Sequence, residues 1–409
     1  MSVPLDRLYN FLRDLCDQDI IIYRWYPHGS RKSTDCGPLK KRAELSNLEK
    51  ILVPHMICHD QEPLNFDWFL GNKKQLLYSL TNNVFHCYDK MLLCHSEKNS
   101  SELARFEDSD AIGVYWWCHA LIAQDWFRFA QVDPTLQSKN IRTDFLIYNR
   151  AWTGTREYRL KFAEMIVDAE LDPNCLMGFN PVDQDQHYYQ YHCQNPSFAV
   201  NRSDLEHHFF INNTLPSASA DYNSADYQCT GIEVVLETLF DDTRWHLTEK
   251  ALRPIACGQP FILAATPGSL EYLRSYGFKT FGSVIDESYD CIVDPVDRLA
   301  AIVDLMRTIA NHHNKTQLYA DLQTIAQHNQ QRFFSTEFYK TVVDEYRTNL
   351  AAGLSTLSQH TSGKHFRKLT KAYKSVDRIT AHTGYTRSDL LAAWQWLRAR
   401  DVNVLDATV

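Results

Sequence analysis

The 409-residue sequence predicts an α/β protein built from two Rossmann-like, doubly wound domains and a small helical appendage at its C-terminal end. Three observations carry this reading. The chain is 44% apolar and 12% aromatic, enough for two cored domains, because single cores rarely grow past about 250–300 residues. Short apolar runs rich in β-branched residues alternate with stretches of helical spacing, which is the pattern of parallel sheets covered by helices. The charge is also uneven: the formal net charge is −8, yet the segment Ser355 to Val409 carries nine Lys or Arg against four Asp, so a basic tail follows an acidic body.

Leu5, Leu8, Phe11, Leu12 and Leu15 recur at helical spacing and predict a first helix, followed by a buried strand over 19–25. Further strands are expected at 51–58, 90–94, 113–117, 144–148, 175–179, 231–236 and 260–264, with helical patterns between most of them. The polar stretch 137–142, after an aromatic helix carrying Trp126 and Phe129, sets the division between a first domain over 1–138 and a second over 139–350. Residues 294–331 read as helix throughout, with Leu299, Ile302, Val303, Leu305 and Met306 at helical spacing, and helix is expected on to about Leu350. The Gly/Ser/Thr-rich stretch 351–363 reads as a linker into the appendage at 364–409.

The eleven cysteines are scattered and odd in number, and several lie inside apolar runs such as Met56-Ile57-Cys58, as buried reduced thiols of a cytoplasmic protein would. Neither a CxxC nor an HExxH spacing occurs. The N-terminus lacks a basic region followed by an apolar stretch, and no run approaches the ~20 apolar residues of a membrane span, so neither export nor a membrane partner is expected. Asp183-Gln184-Asp185 and Asp108-Ser109-Asp110 have the form of metal-binding acid pairs, but neither follows a strand that would present both carboxylates. No metal or other cofactor is expected.

The run His246 to Leu263 reads as a loop, a helix capped by Thr248, a stop at Gly258 and a buried strand. Such an arrangement puts a helix N-terminus at the C-terminal edge of a parallel sheet, where free backbone N–H groups and the helix dipole favour a diphosphate. Lys250 adds a full positive charge there, and Glu249 is placed to accept the two hydroxyls of a ribose. Thr248-Glu249-Lys250, followed by a helix and an apolar strand, resembles the donor-binding motif of the fucosyltransferase and exostosin-like glycosyltransferases. The longer pattern through Gly268-Ser269-Leu270, Gly277 to Phe281 and Asp286 to Asp290 resembles glycosyltransferases encoded by tailed bacteriophages and some bacteria. The resemblance covers about residues 231–290. It implies a GT-B fold, with two Rossmann-like domains facing a cleft and a closing helix that returns to the first. It also implies a nucleotide diphosphate sugar as co-substrate, with Glu249 on the ribose and Lys250 on the phosphates; Thr248 and His246 are further candidate donor-binding residues.

Asn149-Arg150-Ala151-Trp152-Thr153-Gly154-Thr155-Arg156 follows an apolar strand and opens a helix at about Thr155. Guanidinium forks match phosphate oxygens, so Arg150, with Arg156, is the candidate diphosphate clamp, while Arg156 or Arg159 is expected toward solvent. Glycosyl transfer with inversion needs a base for the acceptor hydroxyl, and Asp60 and Glu62, just past the strand at 51–58 and ahead of Pro63, are the candidate catalytic carboxylates. His95 lies just past another expected strand, and His119 and Asp125 flank the start of the aromatic helix.

In the tail, Val376 to Leu397 resembles a helix-turn-helix: a helix with Ile379, a turn at Gly384, a cap at Thr386, and a second helix with Leu390, Leu391, Trp394 and Leu397 on its core side. Arg387 on the second helix, and Arg367, Lys371 and Lys374 ahead of the first, are the candidate DNA contacts. Phage DNA glycosyltransferases act on hydroxymethylated pyrimidines such as hydroxymethylcytosine, so that resemblance points to DNA as acceptor, a hexose or pentose as the sugar, and the host cytoplasm as the place. A surface or capsular glycan is the alternative acceptor, and a non-catalytic DNA-binding protein with a degenerate transferase core the alternative class. The sequence does not fix the oligomeric state.

Overall fold

The computed structural model describes residues 11–15, 20–24, 52–59, 62–67, 69, 87–109, 111–211, 221–361, 363, 375–400 and 402. Among them the helices of six residues or more are α1 (Ser101–Ser109), α2 (Cys118–Trp126), α3 (Tyr158–Asp168), α4 (Ser224–Cys229), α5 (Glu249–Ala256), α6 (Ser269–Ser275), α7 (Pro295–Ala310), α8 (Lys315–Phe333), α9 (Thr336–Ser358), α10 (Val376–Thr383) and α11 (Arg387–Arg398). Internal contacts divide the described residues into two units, one running from 119 to 342 and the other made of the residues before 119 and after 342. Helix α2 thus belongs almost wholly with the second sheet, and α9 begins in one unit and continues in the other.

The first unit in chain order carries a parallel sheet of β1 (Ile21–Arg24), β2 (His55–His59), β3 (Met91–His95) and β4 (Ala111–Tyr115), in that spatial order. Strand alternation divides its apolar residues between two faces. Ile21, Tyr23, Ile57, Met91, Leu93 and Ala111 pack with Leu64, Phe66, Phe69 and Phe106 of α1. A one-way strand order puts right-handed crossovers on one face only. The other face is covered by the far end of the chain: Gly353 of α9 lies against Val114, Leu92 and Ile112, and Asn349 donates to the Tyr115 carbonyl at 2.8 Å. Residues 351–358, expected as a linker, are therefore the last turns of α9. Gly353 is there because a Cβ would come within 2.9 Å of Val114, a close approach rather than a break in the helix.

The second unit carries a five-stranded parallel sheet of β5 (Thr143–Asn149), β6 (Cys175–Phe179), β9 (Phe210–Ile211), β10 (Thr230–Leu236) and β11 (Phe261–Ala264), in the order β11-β10-β5-β6-β9. The chain runs outward from β5 through β6 to β9, then returns to lay β10 and β11 on the other side of β5. This is doubly wound topology, and its order reverses between β5 and β10. Between β6 and β9 a small hairpin, β7 (Val182–Asp183) and β8 (Gln186–His187), turns through Gln184 and Asp185, both at positive φ. The stretch 294–331 is two helices rather than one. Asn311 ends α7, and the Asn314 side chain accepts from Gln317 N to start α8, a local capping bond that interrupts otherwise unbroken apolar spacing.

The appendage is a helix pair as expected. Gly384, at φ 73°, ends α10, and Thr386 and Asp389 form a reciprocal capping box at the start of α11. Ile379, Tyr385, Leu390, Ala393 and Leu397 bury themselves against Cys87, with Leu52, Trp394 and Trp396 partly buried around them. The pair is therefore docked on the first sheet's unit. Leu391, expected on the core side, is 40% exposed, because it lies 100° around the helix from Leu390.

Candidate functional site

All strands of the second sheet are parallel, so the loops after β5, β6, β10 and β11 leave from one edge. The switch point between β5 and β10 is where an open α/β sheet leaves a crevice for a ligand. Asn149 ends β5 and Arg150 follows it, Glu237 and Thr238 follow β10, and the loop from β10 leads to the N-terminus of α5, which carries Thr248, Glu249 and Lys250.

Glu249 and Lys250 are brought together with two histidines. The Glu249 carboxylate lies 2.9 Å from Lys250 Nζ through Oε1 and 3.3 Å from His119 Nδ1 through Oε2. Burial would raise its pKa, but the Lys250 ammonium and His119 outweigh burial and hold it well below the usual carboxylate range. Glu249 is therefore ionised at neutral pH. The His119 and His246 rings meet edge to face at 5.4 Å. Burial, reinforced by His119, Arg244 and Lys250, pushes His246 well below its ordinary pKa, so it is a neutral imidazole. Lys250 is half-buried and also reaches the hydroxyls of Thr248 at 3.2 Å and Thr238 at 3.4 Å. His246, Thr248, Glu249 and Lys250 are thus one cluster, and His119 at the start of α2 joins it.

Three backbone donors at the start of α5, those of Thr248, Lys250 and Ala251, are already bonded within the protein, contrary to the expectation of a free helix N-terminus. The fully buried Glu237 accepts from Thr248 N at 3.0 Å, Thr248 Oγ1 at 2.7 Å and Ala251 N at 3.2 Å. It therefore occupies the start of α5, where an incoming anion would otherwise find N–H groups. Asp183 does the same for the loop after β5, accepting from Trp152 N, Thr153 N and Thr153 Oγ1 at 2.8–2.9 Å. The acid pair at Asp183 and Asp185 is therefore split. Asp183 lies on a short strand after all, but it is an anchor for the loop, and Asp185 stands exposed at the hairpin turn. Any anion held here must be addressed chiefly by side-chain cations, Lys250 above all.

Of the arginines, Arg150 is exposed and Arg156 half-buried, and each interacts with a neighbouring group. Arg159, allowed as a solvent-facing alternative, is buried. Its guanidinium donates to the carbonyls of Ala151, Leu236 and Glu237 at 2.6–3.0 Å and so ties the β5 loop to the end of β10. Asn149 is fully buried and donates to the Arg159 carbonyl at 3.3 Å. Sequence reasoning missed Glu237, although an acid directly after a seven-residue buried strand was a usable signal.

A third carboxylate of this edge, Asp290, accepts from Leu270 N at 3.1 Å at the start of α6. Burial outweighs that bond and raises its pKa to about 6. The folded state then binds the proton more readily than the unfolded chain between pH ~3.8 and ~6. Stability contributed by the neutral acid is present below that window and lost as pH rises through it. Asp290→Asn is expected to abolish this slope, with a stability gain over wild type of up to about 3 kcal/mol at pH 7 that vanishes near pH 4. Urea titrations at both pH values check this, and parallel pH profiles of the two proteins would refute it.

Of the candidate catalytic carboxylates, Glu62 is half-buried on the first sheet's unit and has a polar partner, while Asp60 lies outside the described residues. Arg387 is exposed on α11; Arg367, Lys371 and Lys374 lie outside the described residues. No group of acids, histidines and cysteines that could hold a metal ion occurs among the described residues, and no described helix is long and apolar enough to cross a membrane.

No protein-family model matches the chain, and no curated protein matches it. Among solved structures, it is similar to an α,α-trehalose 6-phosphate synthase from Burkholderia multivorans at 12% identity and TM-score 0.38, over 87% of this chain and 74% of that one. It is also similar to a UDP-forming α,α-trehalose-phosphate synthase from Burkholderia vietnamiensis at 12% identity and TM-score 0.39, over 87% and 77%. Likeness at this level carries no functional argument.

Proposed function

We propose that this protein is a nucleotide-sugar-dependent glycosyltransferase of the GT-B type. The observation that carries the reading is the cluster at the switch point of the second sheet: an ionised Glu249 held between Lys250 and His119 at the start of α5. An ionised carboxylate at that place suits the paired hydroxyls of a ribose. Binding there requires Glu249 to exchange one of its present partners for a hydroxyl, since both of its oxygens are engaged. Lys250 then faces the diphosphate, with Arg150 and Arg156 as the clamp on the neighbouring loop. Thr248 fixes the start of the helix, and neutral His246 packs behind it. No metal is needed for the donor in this scheme, because the cations are side chains. Asp60 and Glu62 are the carboxylates assigned to take the acceptor's proton.

The acceptor we assign is a hydroxymethylated pyrimidine in duplex DNA, on the strength of the basic tail and its helix pair. The test is incubation of the full-length protein with a panel of nucleotide sugars and DNA carrying hydroxymethylcytosine or hydroxymethyluracil, followed by mass analysis of the digested nucleosides. A mass gain of one hexose or pentose is expected. Donor hydrolysis without change in the DNA would remove DNA as acceptor, and no binding or turnover of any nucleotide sugar would remove the enzymatic reading.

A further inference from the structure

We infer that the outward face of α11 is a docking surface for duplex nucleic acid, carried by Arg387, Leu391, Gln395 and Arg398. The inference deepens the acceptor reading above and rests on it for biological purpose, but the surface is argued from the appendage alone. Helix α11 has two faces of different character. At 100° per residue, Leu390, Ala393 and Leu397 fall within a sector of about 60° and are buried in the cluster with Ile379, Tyr385 and Cys87. Arg387, Leu391, Gln395 and Arg398 fall within a second sector of about 80° and are all exposed. The packing against Cys87 and Tyr88, whose ring meets Trp396 at 5.9 Å, fixes which sector is spent on the body of the protein. The other sector is left outward among the described residues.

The chemistry of that outward sector selects its partner. It holds two arginines, an amide able to read a base edge, and one apolar side chain of the kind that meets a thymine methyl. It holds no acid: Asp389, the acid nearest to it on α11, has its carboxylate bonded to Thr386 N at 2.8 Å in the capping box. Arg378 on α10 and Arg400 after α11 are exposed as well, against one exposed acid on α10, Asp377. Arg398 and Arg400 lie over the Trp394 and Trp396 rings at 4.8 and 3.7 Å, which limits the freedom of their side chains before any partner arrives. Arg387 and Arg398 are eleven residues apart, so the stripe runs about 16 Å along the helix, enough to cross a major groove about 12 Å wide. A capped second helix presenting such a stripe, after a turn that opens on a left-handed glycine, is the arrangement in which the second helix of a helix-turn-helix enters the groove. A membrane surface would call for a contiguous apolar face, which one 40% exposed leucine does not supply.

The test is fluorescence anisotropy of a labelled 20-base-pair duplex titrated with the full-length protein at several NaCl concentrations. The comparison is with an Arg387→Ala/Arg398→Ala double variant and with Arg307→Ala, an exposed arginine of α7, as control. The melting temperatures of the variants are measured first, and binding is compared at a temperature where each protein is folded, because Arg398 also lies over the Trp394 ring. The expected result is binding by wild type and the control whose log Kd rises steeply with log salt. In the double variant, affinity at 0.1 M salt is expected to fall by on the order of tenfold per arginine, and the slope by about two. No salt-dependent binding by wild type, or equal affinity and slope in the double variant, would overturn the inference. So would equal competition by heparin at matched charge, since that is what a non-specific polyanion patch gives. Nucleotide-sugar binding, followed separately by calorimetry, distinguishes failure of the enzymatic reading from failure of this one.

Discussion

Arg253→Met is expected to lower the unfolding free energy by about 3–5 kcal/mol. Arg253 and Glu233 form an ion pair at 2.6 Å, with side chains only 5% and 0% exposed. The guanidinium also donates to Tyr227 Oη at 3.0 Å and lies 4.3 Å from the centre of the Tyr148 ring, and the Tyr227 hydroxyl donates to the other Glu233 oxygen. This network joins α5 to β10 and β5 beneath the candidate site. Methionine fills most of the volume but leaves Glu233 buried without its counter-charge, and that uncompensated charge is the source of the loss. A Glu233→Met/Arg253→Met double variant removes both charges and is expected to recover most of the stability. Denaturant titration of the three proteins checks this; a loss under 1 kcal/mol in the single variant, or no recovery in the double, would show that the pair does not act as described.

Lys250→Ala is expected to weaken nucleoside diphosphate binding by about ten- to a hundredfold, since a charge-assisted contact contributes about 1.5–3 kcal/mol. The loss falls on one side chain, because Glu237 and Asp183 already hold backbone N–H groups that would otherwise share the anion. The same substitution removes the nearest cation from Glu249. Calorimetric titration with a panel of nucleoside diphosphates, in a variant shown to be folded by its melting curve, makes the measurement. Unchanged affinity would remove the centre of the proposed function.

The two predictions also mark how far the sequence could be read. Thr248 as cap, Gly258 as stop and the strand that follows are local features, legible because capping and left-handed turns depend on residues within a few positions of each other. The strands at 231–236 and 260–264 were legible for a related reason: β10 and β11 are buried at every residue, on both faces, and their runs are largely apolar. The two-residue strand β9 and the hairpin β7–β8 carry no such run and were not found. The work of Asp183, holding Trp152 and Thr153, spans about 30 residues of sequence and had no local signal.

By itself the sequence determined four of the five strands of the second sheet, the start of α5 with Glu249 and Lys250 on it, and the two-helix form of the tail. These depend on spacing, propensity and caps, which act over one or two turns of chain. Tertiary structure alone decided three other matters. It turned a glycine-rich stretch into helix, because α9 must cover the open face of the first sheet and only a glycine at 353 lets it approach Val114. It buried Arg159, because the carbonyls ending β10 needed a donor 77 residues away in the chain. It filled the α5 N-terminus with Glu237, because a carboxylate at the end of a neighbouring strand reaches those N–H groups once the sheet has formed, and burial makes leaving them unpaired costly.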